Sequence, residues 1–259
     1  MTTLQYLLGT LSGTAVGFTL GLVGGGGSIL AVPLMVYLVG VEDPHVAIGT
    51  SAIAVAANAL IGLSNHARKH NVKWPCAAMF AAAGVGGAWI GAIFGKAMDG
   101  QQLLALFSLL MLVVATLMAR SRGQHGDPGA VLNRSNAPKL IASGTATGLL
   151  SGFFGIGGGF LVVPGLMAST GMPILFAVGS SLVAVVSFGL TTAISYASSG
   201  LIAWPLAAAF IAGGALGSVL GSRTATQLAD RKGALNLILA GLISVVALYM
   251  LSRAMIALG

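Results

Sequence analysis

Two glycine-rich runs offer the clearest chemistry in this chain. Val23-Gly24-Gly25-Gly26-Gly27-Ser28 returns 131 residues later as Phe154-Gly155-Ile156-Gly157-Gly158-Gly159, and each run is followed five residues on by a proline, Pro33 or Pro164. Glycine loses the most backbone entropy on ordering and leaves its peptide groups uncovered, so each run is predicted to interrupt a helix. A helix that resumes after such a break begins with free N–H groups and the positive end of its dipole. That combination suits a compact anion, which can approach the backbone closely because no Cβ intervenes. Gly25, Gly26, Gly27 and Ser28 are the candidate ligands in the first run, and Gly157, Gly158 and Gly159 in the second.

Other donors stand nearby in the sequence. Thr50 and Ser51 open the third apolar segment of the first half, and Ser180 and Ser181 open the matching segment of the second. Their hydroxyls serve either as helix caps or as donors to an anion. Asn58 is the one strongly polar side chain in its span, and Phe188 stands at the matching position. It is read either as a helix–helix hydrogen bond or as a ligand, since polar groups in a span face the interior. Ser187 and Thr191 are expected to bond their own helix backbone. His66 and His70, beside Arg68 and Lys69, are read as part of a basic topology signal in preference to a proton donor.

Several chemistries are disfavoured. Glu42, Asp43, Asp99, Asp127 and Asp230 all fall in loops or at segment ends, so no carboxylate is placed for a proton relay within a span. A cation-first transporter is disfavoured for the same reason. The glycine runs lack a following Lys-Ser/Thr and do not follow strands, so they are not phosphate-binding P-loops, and no His-Glu-x-x-His occurs. Cys76 stands alone and can form no intrachain disulfide. No catalytic residue, metal site or cofactor is expected.

The composition sets the class. Of 259 residues, 56% are hydrophobic and only 7% charged, and the mean hydropathy is +0.97. A soluble domain carries roughly 25% charged residues, so this chain is predicted to sit in a lipid bilayer. The net charge of +7 does not point to nucleic acid, because the basic residues lie between apolar segments, where Lys and Arg fix membrane topology. The first apolar stretch opens a repeat and lacks a basic leader, and is read as retained, not as a cleaved signal.

The two halves align almost without gaps. Gly13, Gly17, Gly21 and Pro33 match Gly144, Gly148, Gly152 and Pro164; after one dropped residue, Gly49-Thr50-Ser51 matches Gly179-Ser180-Ser181. Trp74-Pro75 matches Trp204-Pro205, and Gly84, Gly87 and Gly91 match Gly214, Gly217 and Gly221. These scattered glycines are read as helix-packing residues, and the Trp-Pro pairs as interfacial anchors with proline in a first helical turn.

The prediction is an all-α polytopic membrane protein, a single membrane domain over 1–259. It comprises repeat one (4–119), a cytoplasmic linker (120–139) and repeat two (140–253), each repeat with about five helical segments and a glycine-broken hairpin whose tip lies near mid-membrane. The segments expected are 4–22, 28–40, 46–64, 75–95 and 102–119, then 140–153, 160–171, 174–195, 205–222 and 234–252. If the repeats are inverted, ten basic residues lie inside and two outside; parallel repeats would give eight and four. The inverted arrangement fits the positive-inside tendency better.

The glycine runs, their duplication and the Gly-Thr-Ser and Gly-Ser-Ser triplets give the chain a family likeness. It resembles the sulfite exporter TauE/SafE family, also called the toluene-sulfonate uptake permease group, over nearly its whole length. The resemblance implies a multi-pass permease of the bacterial cytoplasmic membrane. It would move small organosulfur anions such as sulfite, sulfoacetate or other sulfonates, with export favoured by analogy and alternating access as the mechanism. An anion channel, a transporter of another small anion and, more remotely, an intramembrane enzyme are the rival readings. The bilayer is the expected partner, nucleic acid is not, and a homodimer is left open.

Overall fold

The computed structural model describes residues 2–120, 127, 129–157, 159–227, 241 and 243–253. Helix α1 (Thr3–Val23) begins in a capping box, in which Thr2 Oγ1 accepts from the Gln5 N–H and Gln5 Oε1 accepts from the Thr2 N–H. It stops at Gly24, whose φ of +71° takes the chain out of the helix. A tight 3₁₀ helix then covers Gly24–Leu30, a short α2 covers Ala31–Pro33, and a wide π turn covers Leu34–Leu38. Next come α3 (Pro44–Arg68), capped by Asp43 through the His45 N–H, α4 (Trp74–Ala97) and α5 (Gly100–Arg120). The second half gives α6 (Ala137–Phe154), α7 (Gly159–Thr170), α8 (Ile174–Ala197), α9 (Trp204–Gln227) and α10 (Ile243–Arg253).

Among the described residues there is no strand. Thr3–Leu38, Pro44–Arg68, Trp74–Ala97, Ile174–Ala197 and Trp204–Thr224 are each long and apolar enough to cross a bilayer, with shorter apolar helices beside them. Large apolar side chains point outward along them, including Leu4, Leu7 and Leu11 on α1, Ile90, Ile93 and Phe94 on α4, and Leu216 and Leu220 on α9. In water such a surface would aggregate; it belongs in lipid. The protein is therefore a multi-pass helical membrane protein.

The expected segments match the helices to within a few residues, with one correction. A half-helix was expected to start at Ser28, straight after the four glycines. Instead the glycines are themselves wound into the 3₁₀ turn, and Ser28 lies inside it. The tighter helix forms because the segment folds back on α1: a side chain at Gly27 would collide with Thr19 and the Leu20 backbone. The return is complete by Gly40, whose carbonyl accepts from Gln5 Nε2 near the start of α1. The first two segments of this half thus form a hairpin, as expected. The last expected segment, 234–252, lies partly outside the described residues.

The halves interlock. Gly13, Gly17 and Gly21 of α1 press against the Phe210, Gly214 and Ser218 carbonyls of α9, so the two helices run parallel. Gly144, Gly148 and Gly152 of α6 press in the same way against Phe80, Gly84 and Ala88 of α4. Gly217 and Gly221 meet Thr14 and Phe18, while Gly87 and Gly91 meet Thr145 and Leu149. Every one of these contacts recurs at the position that the sequence repeat assigns to it. The first helix of each half therefore packs on the fourth helix of the other, backbone to backbone, as small residues allow in a membrane.

Between these pairs, α3 and α8 run antiparallel. Gly49 lies against Tyr196, Gly62 faces Leu182, and Gly189 lies against Ala52 and Ala56. Arg68, Lys69, Lys73, Lys139 and Arg223 gather at the end where α3 and α9 finish and α4, α6 and α8 begin. Lys96 and Arg253 lie at the other end.

Candidate functional site

The midpoint of the α3–α8 crossing falls at Asn58 and Phe188, which occupy equivalent positions of the two halves. Each lies over a glycine of a fourth helix: the Asn58 amide over Gly214 of α9, and the Phe188 ring over Gly84 of α4. Phe188 is content in an apolar core. Asn58 is not, since it is 0% exposed and neither Nδ2 nor Oδ1 has a hydrogen-bond partner. An amide buried without a partner costs about 1–3 kcal/mol by mutational measure. The hydroxyl of Ser218 is engaged with backbone: its Oγ lies 3.2 Å from the Gly17 carbonyl oxygen and 3.5 Å from that of Asn58. Sequence reasoning left Asn58 open between a helix–helix hydrogen bond and a ligand. No helix–helix hydrogen bond is made by its side chain.

The first glycine break is fully buried from Gly24 to Leu30. Its contacts bring two of the candidates together across the halves, because the Gly25 N–H donates to Ser181 Oγ at 3.2 Å. Ser181 in turn donates to the Val178 carbonyl, and Ser28 Oγ donates to the Gly25 carbonyl at 2.9 Å. Gly27 admits no side chain, whereas a methyl at Gly26 would meet only Val23 at 3.4 Å, an ordinary contact.

At the second break, Gly155 carries φ +67° and packs on Ile48, in the second turn of α3, just as Gly24 packs on Val178 in the second turn of α8. Gly157, with φ +65°, lies close to both Val55 and Val185, next to the α3–α8 midpoint. Gly158 lies outside the described residues, and Gly159 is the first residue of α7. The amino end of α7 thus starts close to the centre of the crossing, against the first break, with which α7 packs.

The hydroxyl pairs divide by job. Thr50 Oγ1 accepts from the Ala203 N–H at 2.9 Å, and Ser180 Oγ accepts from the Lys73 N–H at 2.9 Å. Both acceptors therefore anchor the start of the other half's fourth helix. Ser51 donates to the Ile48 carbonyl and Ser181 to that of Val178, each closing its own helix turn. Ser187 and Thr191 bond their own helix, as expected.

Sequence reading took His66 for part of a basic topology signal and left Tyr196 unmentioned, whereas His66 is buried in the last turn of α3. His66 and Tyr196 are equivalent positions near the carboxyl ends of α3 and α8. Both are buried, and neither His66 ring nitrogen nor Tyr196 Oη has a hydrogen-bond partner. The register of the repeat could have flagged them. Two clefts open at the ends of the molecule. One is lined by Asn65, Arg68, Lys69, Val219, Ser222 and Arg223; the other includes Tyr37, Gly40, Glu42, Gln101 and Arg253. Neither is lined by the glycine breaks or by Asn58.

Comparison with known proteins bears on what such a bundle does. Residues 9–250 match the family model described as Sulfite exporter TauE/SafE. A "Probable membrane transporter protein" of Xylella fastidiosa (strain 9a5c) is 48% identical over 254 residues, covering 97% of each chain. "Probable membrane transporter protein YunE" of Bacillus subtilis is 28% identical, over 83% of this chain and 85% of its own. "Probable membrane transporter protein MJ0441" of Methanocaldococcus jannaschii is 27% identical, over 91% and 93%. No solved structure matches the chain.

Proposed function

Because the chain belongs to the sulfite exporter TauE/SafE family, a family of membrane transporters, we propose that it is a permease for small organosulfur oxyanions such as sulfite, sulfoacetate or other sulfonates. It would export them across the bacterial cytoplasmic membrane by alternating access.

The observation that carries the substrate reading is the orphaned Asn58 amide at the midpoint of the crossing. A sulfite or sulfonate head brings oxygen acceptors that would take both Nδ2 hydrogens. The amino end of α7, which follows Gly157 beside Val55 and Val185, adds the N–H groups and positive dipole end of a helix start near the midpoint of the crossing. Neither group is a formal cation, so the anion is held loosely enough to leave, as turnover requires. No Lys or Arg lies within several turns of Asn58 along α3 until Arg68.

Alternating access needs a bundle that can rock about a central site. Inverted halves would supply it. The antiparallel run of α3 and α8, equivalent helices of the two halves, supports inversion, with the cationic end in the cytoplasm. Thr50 and Ser180 would then act as matched hinges that tie each half to the other.

Proteoliposomes tested with sulfite, thiosulfate, sulfate, sulfoacetate, taurine and a carboxylate of similar size would check this reading. The expected result is saturable flux with sulfite or a sulfonate preferred. A preference for the carboxylate or for a cation would overturn the substrate class, and flux that neither saturates nor shows counterflow would make the protein a channel.

A further inference from the structure

We propose that the cleft between the carboxyl ends of α3 and α9 is a second oxyanion site, set at the cationic mouth of the protein and distinct from Asn58. Arg68 and Lys69 from α3 and Arg223 from α9 share one cleft of about 210 Å³ with the Asn65 amide, and no carboxylate lines it among the described residues. Like charges gathered round one hollow raise its positive potential and concentrate anions there. Ser222 commits its hydroxyl hydrogen to the Val219 carbonyl, so the donors offered to a guest are led by the Asn65 amide and the Arg68 and Lys69 cations, with Arg223 adding its charge to the same hollow.

The repeat provides an internal control. At the opposite end, the positions equivalent to Asn65, Arg68, Lys69 and Arg223 are Ser195, Ser198, Ser199 and Ile93. That crossing of α8 with α4 is held by a single amine: Lys96 Nζ donates to the Ser195 carbonyl at 2.8 Å and to Ser199 Oγ at 3.0 Å. The same helix packing therefore stands without a cluster of cations. Among the described residues the cluster belongs to one end, and there it surrounds a hollow.

The cleft also borders the route inward. A side chain at Gly21, in the last turn of α1 before the first break, would strike the Ser218 carbonyl and the Ser222 nitrogen. His66, buried just behind Asn65, lies beside the Gly21 carbonyl without the geometry of a hydrogen bond. An oxyanion in the cleft is thus one helix turn from the break. The chemistry that fits is a small head with two or three acceptor oxygens, whether a free sulfite or sulfate or the phosphate of an anionic lipid. Its role as a collecting site rests on the permease reading; its existence does not.

The test uses the full chain in zwitterionic nanodiscs, titrated calorimetrically with sodium sulfite at low and high salt. The Asn58→Leu background silences the central site. Residual, salt-sensitive sulfite binding that weakens about fivefold or more in Arg68→Gln/Lys69→Gln/Arg223→Gln, but not in Lys96→Gln, is the expected result. Sulfite binding unaffected by the triple substitution would overturn the site. If sulfite shows no residual binding, nanodiscs containing phosphatidylglycerol decide the source. Stabilisation of the parent chain that the triple variant loses assigns the cleft to a lipid phosphate; none in either refutes an oxyanion site. Unchanged transport in Asn58→Leu alone would sink the central site and leave the cleft standing.

Discussion

Asn58 and Phe188 occupy the same place in two copies of one design, and the proposed anion site rests on the difference between them. The ring satisfies its surroundings and the amide does not. Replacing an unpartnered buried amide with an apolar side chain of similar size relieves its desolvation cost. Asn58→Leu is therefore expected to unfold at a temperature equal to or above that of the parent while losing sulfite flux, a split read by thermal unfolding and proteoliposome uptake together. Loss of stability along with flux would make Asn58 structural. Gly26 has room for a methyl, so Gly26→Ala is expected to fold normally; weaker sulfite affinity would place the anion against the first break, and unchanged affinity would remove that break from the site. The Ser181 hydroxyl closes a cross-half bond to Gly25. Its loss in Ser181→Ala should cost about 1 kcal/mol, measured by denaturant unfolding.

At the scale of elements, the helical segments were legible in the sequence because apolar runs bounded by charges, glycines and Trp-Pro pairs leave little choice in a membrane. The hairpin of the first half was legible too. Its 3₁₀ winding was not, because it depends on Thr19 and Leu20 pressing on Gly27, a contact that no local pattern announces. The glycines at one-turn spacing announced close packing but not the partner, since a small-residue face fits any other such face. Nor could spacing separate Thr50 from Ser51: both are hydroxyls at a helix start, and only the fold brings the Ala203 N–H to the first. The parallel pairs make a prediction of their own. Gly17→Ala and Gly148→Ala would drive a methyl into the Gly214 and Gly84 carbonyls. Each is expected to destabilise by roughly 1–3 kcal/mol, as overpacking does, and by similar amounts because the sites are equivalent. The readout is detergent-resistant folding by size-exclusion.

For the whole molecule, the two ends differ in charge while the helices between them repeat. Among the described residues, Arg68, Lys69, Lys73, Arg134, Lys139 and Arg223 crowd one end, while Lys96 and Arg253 stand at the other. With Cys76 replaced by serine, single cysteines at Asn71 and at its repeat equivalent, Leu201, should be labelled from opposite faces of the membrane, Asn71 from the cytoplasm. Labelling of both from one face would exclude inverted halves. The interlocked pairs mean that neither half is expected to fold without the other, since each first helix finds its backbone partner only across the repeat.

The most direct measurement is counterflow of labelled sulfite in proteoliposomes loaded with unlabelled sulfite, comparing the parent chain with Asn58→Leu at matched protein incorporation. Transient, saturable accumulation in the parent and its loss in the variant is the outcome predicted for a central site in which a neutral amide, not a cation, holds the anion. Equal counterflow in both, with both chains folded, would contradict it.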